Sequence, residues 1–119
     1  MSVNSIRTSF VKFRIAILFN GSLEELSSKI SQKLNIQNFF FKNNPEPPHT
    51  LYAMSEVLGF ETSLYASTEK DGFNFLFEIE TTHNSESLNE MEQPVVDLSH
   101  WFAEYMKIVF PYKIEALEN

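Results

Sequence analysis

The sequence contains no cysteine. That excludes a disulfide scaffold, a zinc–thiolate site, a thiol nucleophile and an iron–sulfur cluster, and it fits a reducing compartment. Glycine is scarce, with three residues, and none lies in a phosphate-loop or dinucleotide pattern, so nucleotide chemistry is not expected. Long apolar runs are missing too. The longest, Ile15 to Phe19, is far too short to span a bilayer, and Met1 to Arg7 lacks a basic-then-apolar leader. The expectation is a cytoplasmic chain without membrane contact. Basic side chains are also few: nine Lys and Arg against sixteen Asp and Glu give a net charge of −7. The deficit is uneven. Residues 1–44 hold six basic and two acidic side chains, whereas residues 45–119 hold three and fourteen. Such an acidic surface repels nucleic acid and anionic membranes and attracts basic partners.

What is present suits one ordinary domain. Its 119 residues form a single unit over 1–119, with residues 1–9 read as a loosely held tail. Hydrophobic residues make up 43%, twelve of them Phe, which is ample for a core, and a charged fraction of 21% argues against disorder.

Val11, Phe13, Ile15, Ile17 and Phe19 alternate with Lys12, Arg14, Ala16 and Leu18, the period of a strand whose far half is apolar on both faces. Asn20-Gly21 ends it. Ser22 and Glu25 then form a capping box, and Leu23, Leu26, Ile30 and Leu34 follow at helical spacing. Phe39-Phe40-Phe41 reads as a short strand contributing to the core. Asn43 to Pro48 is a stiff loop; its Pro45 and Pro48 have the spacing of a polyproline ligand, but a plain loop explains them. Residues 49–58 fit either a helix or a strand, and an extended segment bending near Gly59 is preferred. Phe60 to Tyr65 and Phe73 to Glu80 form a hairpin around Asp71-Gly72, with Phe73, Phe75, Phe77 and Ile79 on one face. Residues 81–93 are a polar, acidic loop. Asp97 caps a helix whose apolar face would be Leu98, Trp101, Phe102, Tyr105, Ile108 and Val109, stopped by Pro111 and followed by a last strand over 112–117. A tryptophan can anchor an interface, but on that face Trp101 is expected in the core. The order β-α-β-β-β-(β)-α-β predicts an α+β fold: a mainly antiparallel sheet with two helices packed on one face.

No constellation points to catalysis. His49, His83 and His100 sit in separate segments without metal-ligand spacing. Asp97, Ser99 and His100 lie within one helical turn, whereas a triad gathers side chains from separate segments. Glu78 and Glu80 share a strand face but do not flank a bond from opposing walls as glycosidase carboxylates do. The expectation is a binding protein, not an enzyme, without cofactor or metal.

Three segments carry a resemblance: Pro47-Pro48-His49 running into Met54-Ser55-Glu56-Val57-Leu58-Gly59-Phe60-Glu61; Phe77-Glu78-Ile79-Glu80-Thr81; and Asp97-Leu98-Ser99-His100-Trp101-Phe102-Ala103-Glu104-Tyr105. Over roughly residues 35–110 the chain resembles small immunity proteins of bacterial toxin–immunity systems, including those paired with contact-dependent growth-inhibition toxins. It departs from the pattern at Ser63, where a Trp would be expected. The resemblance implies a cytoplasmic protein that binds a cognate toxin domain, often a basic nuclease, and blocks its active site or access to it. It carries over no binding residues. Charge and exposure nominate Glu78 and Glu80 on the polar strand face, Glu86, Glu90 and Glu92 in the acidic loop, and Asp97 beyond it, as a negative patch for toxin Lys and Arg. Reversal of Glu78, Glu80 and Glu90 to Lys would then slow toxin association. The competing classes are a small-ligand regulatory domain, which needs a concave polar pocket, and a homodimeric adaptor assembled through an open sheet edge.

Overall fold

The alternation that begins near Val11 becomes β1 (Phe10–Leu18), and the capping box opens α1 (Leu23–Leu34). Glu25 Oε1 accepts from the Ser22 amide at 2.8 Å while Ser22 Oγ accepts from the Glu25 amide at 3.1 Å. These bonds hold the Glu25 carboxyl below its usual range. The computed structural model describes residues 10–36, 39–43, 51–57, 60–81 and 95–117. The expected tail, the Pro45–Pro48 loop, the bend at Gly59 and the acidic loop with Glu86, Glu90 and Glu92 lie outside them.

Four strands follow α1: β2 (Phe40–Asn43), β3 (Leu51–Val57), β4 (Phe60–Ala66) and β5 (Phe75–Thr81). The ambiguous segment is thus a strand. Next come β6 (Val95–Asp97), α2 (Ser99–Val109) and β7 (Lys113–Ala116). The sheet runs β2-β3-β4-β5-β1-β6, and β7 also pairs with β1. β1 is therefore the hub. It takes β5 antiparallel along one edge, and along the other it takes β6 parallel at Phe10–Lys12 and β7 antiparallel at Ile15–Leu18. Ile15, Ile17, Phe75, Phe77, Leu64 and Ala53 from the sheet share one core with Leu26 and Ile30 of α1 and Phe102 and Met106 of α2. Both helices consequently lie on the same face of a mainly antiparallel α+β sheet, as the periodicities predict.

The β4–β5 turn has its expected chemistry. The Phe73 amide donates to the Lys70 carbonyl, with Asp71-Gly72 between them and Gly72 at φ 90°. A positive φ at that position costs glycine little and a side-chain-bearing residue more.

Three expectations need correction, and one strand, β6, was not expected. Phe40 and Phe41 are exposed and only Phe39 enters the core, because β2 is an edge strand and α1 packs over β3 and β4 instead. Phe73 packs with Ala16, Leu76 and Leu117 on the helix-free face, not with Phe75 and Phe77. The chain turns at Asn74, whose amide bridges to Phe19: Oδ1 accepts from the Phe19 amide and Nδ2 donates to its carbonyl. β6 is three residues long, too short to show a period. Finally, α2 is rotated from the expected face. It buries Ser99, Phe102, Ala103 and Met106, and leaves Leu98, Trp101, Tyr105 and Ile108 exposed. Two apolar stripes compete on this helix, and the sheet takes the one containing small Ser99 and Ala103. There the backbone comes close enough for the Arg14 amide to donate to Ser99 Oγ at 2.8 Å.

Candidate binding surface

The face without helices is ordered by strand register into transverse rows. Cross-strand partners are Glu56 with Glu61, Glu61 with Glu80, Glu80 with Lys12, and Lys12 with Asp97. One row over β3-β4-β5-β1-β6 therefore carries four carboxylates and one Lys. Two residues along the strands comes Phe40, Met54, Ser63, Glu78 and Arg14; two further on, Lys42, Tyr52, Tyr65, Leu76 and Ala16. The rows grade from acidic and exposed at one end to aromatic and apolar at the other, where Leu76 and Ala16 are buried and the Tyr52 and Tyr65 rings meet at 4.8 Å.

Of the nominated residues, the register brings Glu80 and Asp97 into one row and puts Glu78 in the next. Their states differ. Glu78 is engaged: its Oε2 accepts from Arg14 Nε at 2.9 Å and from the Tyr65 hydroxyl at 3.0 Å, in a partly buried cluster. Burial lowers the Arg14 guanidinium pKa, but Glu78 more than compensates and it ends above its ordinary value. Burial, then the Glu78 charge, pushes the Tyr65 phenol up. Glu80 is exposed. Asp97 closes β6 and does not occupy the cap position, which falls to Leu98. Its Oδ1 still accepts from the Ser99 amide and hydroxyl. Partial burial pushes the Asp97 carboxyl up, but the Ser99 bonds, with Lys12 and His100 nearby, outweigh it and the pKa ends low. Ser99 Oγ thus joins Asp97 to the β1 backbone, which is a structural duty and not a nucleophile's.

Replacing Ser99 with Ala would remove both the acceptor of the Arg14 amide's bond and the hydroxyl bond to Asp97, and is expected to cost about 1–3 kcal/mol in urea unfolding at neutral pH. Because the folded-state pKa of Asp97 is depressed, its contribution is present above an unfolded value of about 4 and fades as pH falls through the folded one. The gap between wild type and Ser99→Ala should therefore narrow in acid.

Glu56 and Glu61 are the residues that sequence reasoning missed. Their signal was the hairpin closed between Val57 and Phe60, which sets Glu56 opposite Glu61. Among the described residues, neither these two nor Glu80 makes an ion pair or side-chain hydrogen bond. Like charges directly opposite each other on adjacent strands destabilise a sheet by roughly 0.2–1 kcal/mol per pair. Glu61, flanked on both sides, should bear most of this. Glu61→Gln is expected to raise the urea midpoint at low salt, with the gain shrinking at high salt.

The row is a strip and not a cage: among the described residues no group of three His, Asp or Glu could hold a metal ion. A groove of about 250 Å³ between α1 and β2 is lined by Glu24, Ser27, Ser28, Ser31, Phe39 and Phe41. The Ser27 and Ser31 hydroxyls donate back to the Glu24 and Ser28 carbonyls of their own helix. Among the described residues, these two hydroxyls are thus turned into their own helix and do not converge on the groove as groups holding a small ligand would. Among the described residues no helix is long and apolar enough to cross a membrane. The chain matches no protein-family model, and no curated protein is significantly similar to it.

Proposed function

We propose that this chain is an immunity protein: it binds a cognate bacterial toxin domain and neutralises it by covering the active site or blocking substrate access. The observation that carries the reading is the cross-strand row Glu56–Glu61–Glu80. It lies on the helix-free sheet face, where Lys12 stands opposite Glu80 but, among the described residues, none of the three carboxylates makes an ion pair, and its like charges oppose folding. A row of carboxylates about 5 Å apart suits Lys and Arg presented by a basic domain such as a nuclease. Tyr52, Met54 and Phe40, next to it on the same face, supply the amphipathic contacts common at interfaces. The chain acts as a cytoplasmic binding protein and performs no chemistry itself. The resemblance of its Met54–Glu61, Phe77–Thr81 and Asp97–Tyr105 segments to immunity proteins supports the same reading.

The deciding experiment is calorimetric titration with the toxin-like C-terminal domain encoded immediately upstream, at two salt concentrations. Nanomolar binding that weakens with salt is expected. Tight binding indifferent to salt would leave immunity standing and remove the acidic row as its basis. Failure to bind a folded upstream domain would refute the pairing.

A further inference from the structure

On the opposite side of the sheet, α2 carries an apolar stripe that its own fold leaves exposed. Leu98 is 36% accessible, Trp101 61%, Tyr105 42% and Ile108 84%. The stripe continues inward through a chain of rings. Tyr105 stacks on Trp101 at 6.0 Å, Trp101 meets Phe13 of β1 at 6.2 Å, and Phe13 meets Phe60 of β4 at 6.3 Å. Taking about 200 Å² for each large side chain, the four exposed residues leave roughly 400 Å² of mostly apolar surface. That is as large as the largest patches on ordinary monomers, which are often functional.

We infer that this stripe is a self-association surface, on which α2 of a second copy packs antiparallel across a two-fold axis. Three observations select a second copy. The first is spacing. The intervals from Leu98 to Trp101, Tyr105 and Ile108 are three, four and three residues, so the stripe reads the same in both directions. Antiparallel pairing sets Leu98 against Ile108 of the other copy and Trp101 against Tyr105 at both ends, the self-complementarity that an isologous interface requires. The second is charge. A chain of net charge −7 repels itself over most of its surface, whereas the only Asp, Glu, Lys or Arg residues of α2 are Glu104 and Lys107, which pair at 2.9 Å. The patch therefore lacks the carboxylate excess that would attract a basic domain. The third is area. The stripe supplies about half of the roughly 800 Å² per partner of a standard interface, and its rim can bring the total near the low end of stable contacts, about 1,200 Å². The resulting dimer is reversible and concentration-dependent. Because α2 and the carboxylate row lie on opposite faces, each copy keeps its acidic row free.

Sedimentation of the wild-type chain over rising concentration tests this, with Ile108→Lys and Trp101→Ala alongside. A monomer–dimer equilibrium is expected, weakened at least tenfold by either variant, with unchanged circular dichroism. Ile108 is the most exposed residue of the stripe, so its variant should fold even if Trp101→Ala is perturbed. The chain has no native cysteine, so a disulfide between engineered positions is unambiguous. The double variant Leu98→Cys with Ile108→Cys should oxidise to a covalent dimer while each single variant does not. Within one helix these positions are about 15 Å apart and cannot join each other. A chain monomeric at every concentration overturns the inference, as does a dimer that survives Ile108→Lys and fails to cross-link. A monomer whose toxin binding is lost in Ile108→Lys overturns it and gives the stripe to the toxin.

Discussion

If the chain is the immunity protein proposed above, reversing Glu56, Glu61 and Glu80 together to Lys is expected to slow association with its toxin domain by roughly 10- to 100-fold and to abolish protection, while the fold survives. The three side chains stand on adjacent strands in direct register and are exposed, so the variant replaces one like-charged row with another and leaves the core untouched. The salt dependence should invert: added salt weakens binding of the wild type and relieves repulsion in the variant. Stopped-flow association at two ionic strengths reads both effects. An unchanged on-rate would remove the row from the interface. Glu78 is a poorer target than its neighbours. A Lys there would face Arg14 and Tyr65 in a partly buried cluster and mix loss of stability with loss of binding. Glu61→Gln offers the converse control, because it should strengthen the fold while weakening the complex. Opposite signs from one substitution would show that the carboxylate is retained for binding at the expense of stability.

Phe77→Ala is expected to cost about 3–5 kcal/mol, a large share of the roughly 5–15 kcal/mol that holds such a domain folded. Phe77 is completely buried, and its ring meets Phe39 at 6.4 Å and Phe102 at 6.0 Å. It therefore ties the α2 side of the core to the segment that enters β2, and truncation would open a cavity between elements far apart in sequence. Phe40→Ala, three strands away on the exposed edge, should stay within about 0.5 kcal/mol. Urea unfolding of the two variants side by side separates a buried phenylalanine from an exposed one in the same sheet. Equal losses would contradict the burial pattern.

The elements were legible wherever a period ran long enough to be counted. β1, α1 with its Ser22–Glu25 box, and β5 follow from local pattern, and so does the layering of two helices on one side. The helix face of α2 was not legible. Its apolar residues cover two arcs, and only contact with β1, through Ser99 and the Arg14 amide, selects one. Likewise the exposure of Phe40 and Phe41 depends on β2 being an edge, a property of strand order that no local spacing encodes. For the candidate surface, composition announced the acidic balance, and Glu80 stood out on its strand. Glu56 and Glu61 became visible once the register of β3 on β4 was fixed. Even then the charge count does not reveal that Glu78 is engaged and Glu80 is not.

The position of β1 as hub bears on when the protein can act. The strand is made early, yet its partners are β5, β6 and β7, and Ile15 pairs with Ala116. At about 5–20 residues per second, roughly 5–20 s of synthesis separate β1 from its last neighbour. During that interval β1 lacks one or more of its neighbours, and closure of long-range pairs of this kind is intrinsically slow. Glu56, Glu61 and Glu80 stand on the consecutive strands β3, β4 and β5, whereas Lys12 and Asp97 meet only when β6 docks on β1, so the β1 end of the row is the last part to be assembled. Completion of the sheet must therefore lag behind translation, and under the proposed immunity reading a cell exposed to toxin would depend on molecules folded beforehand.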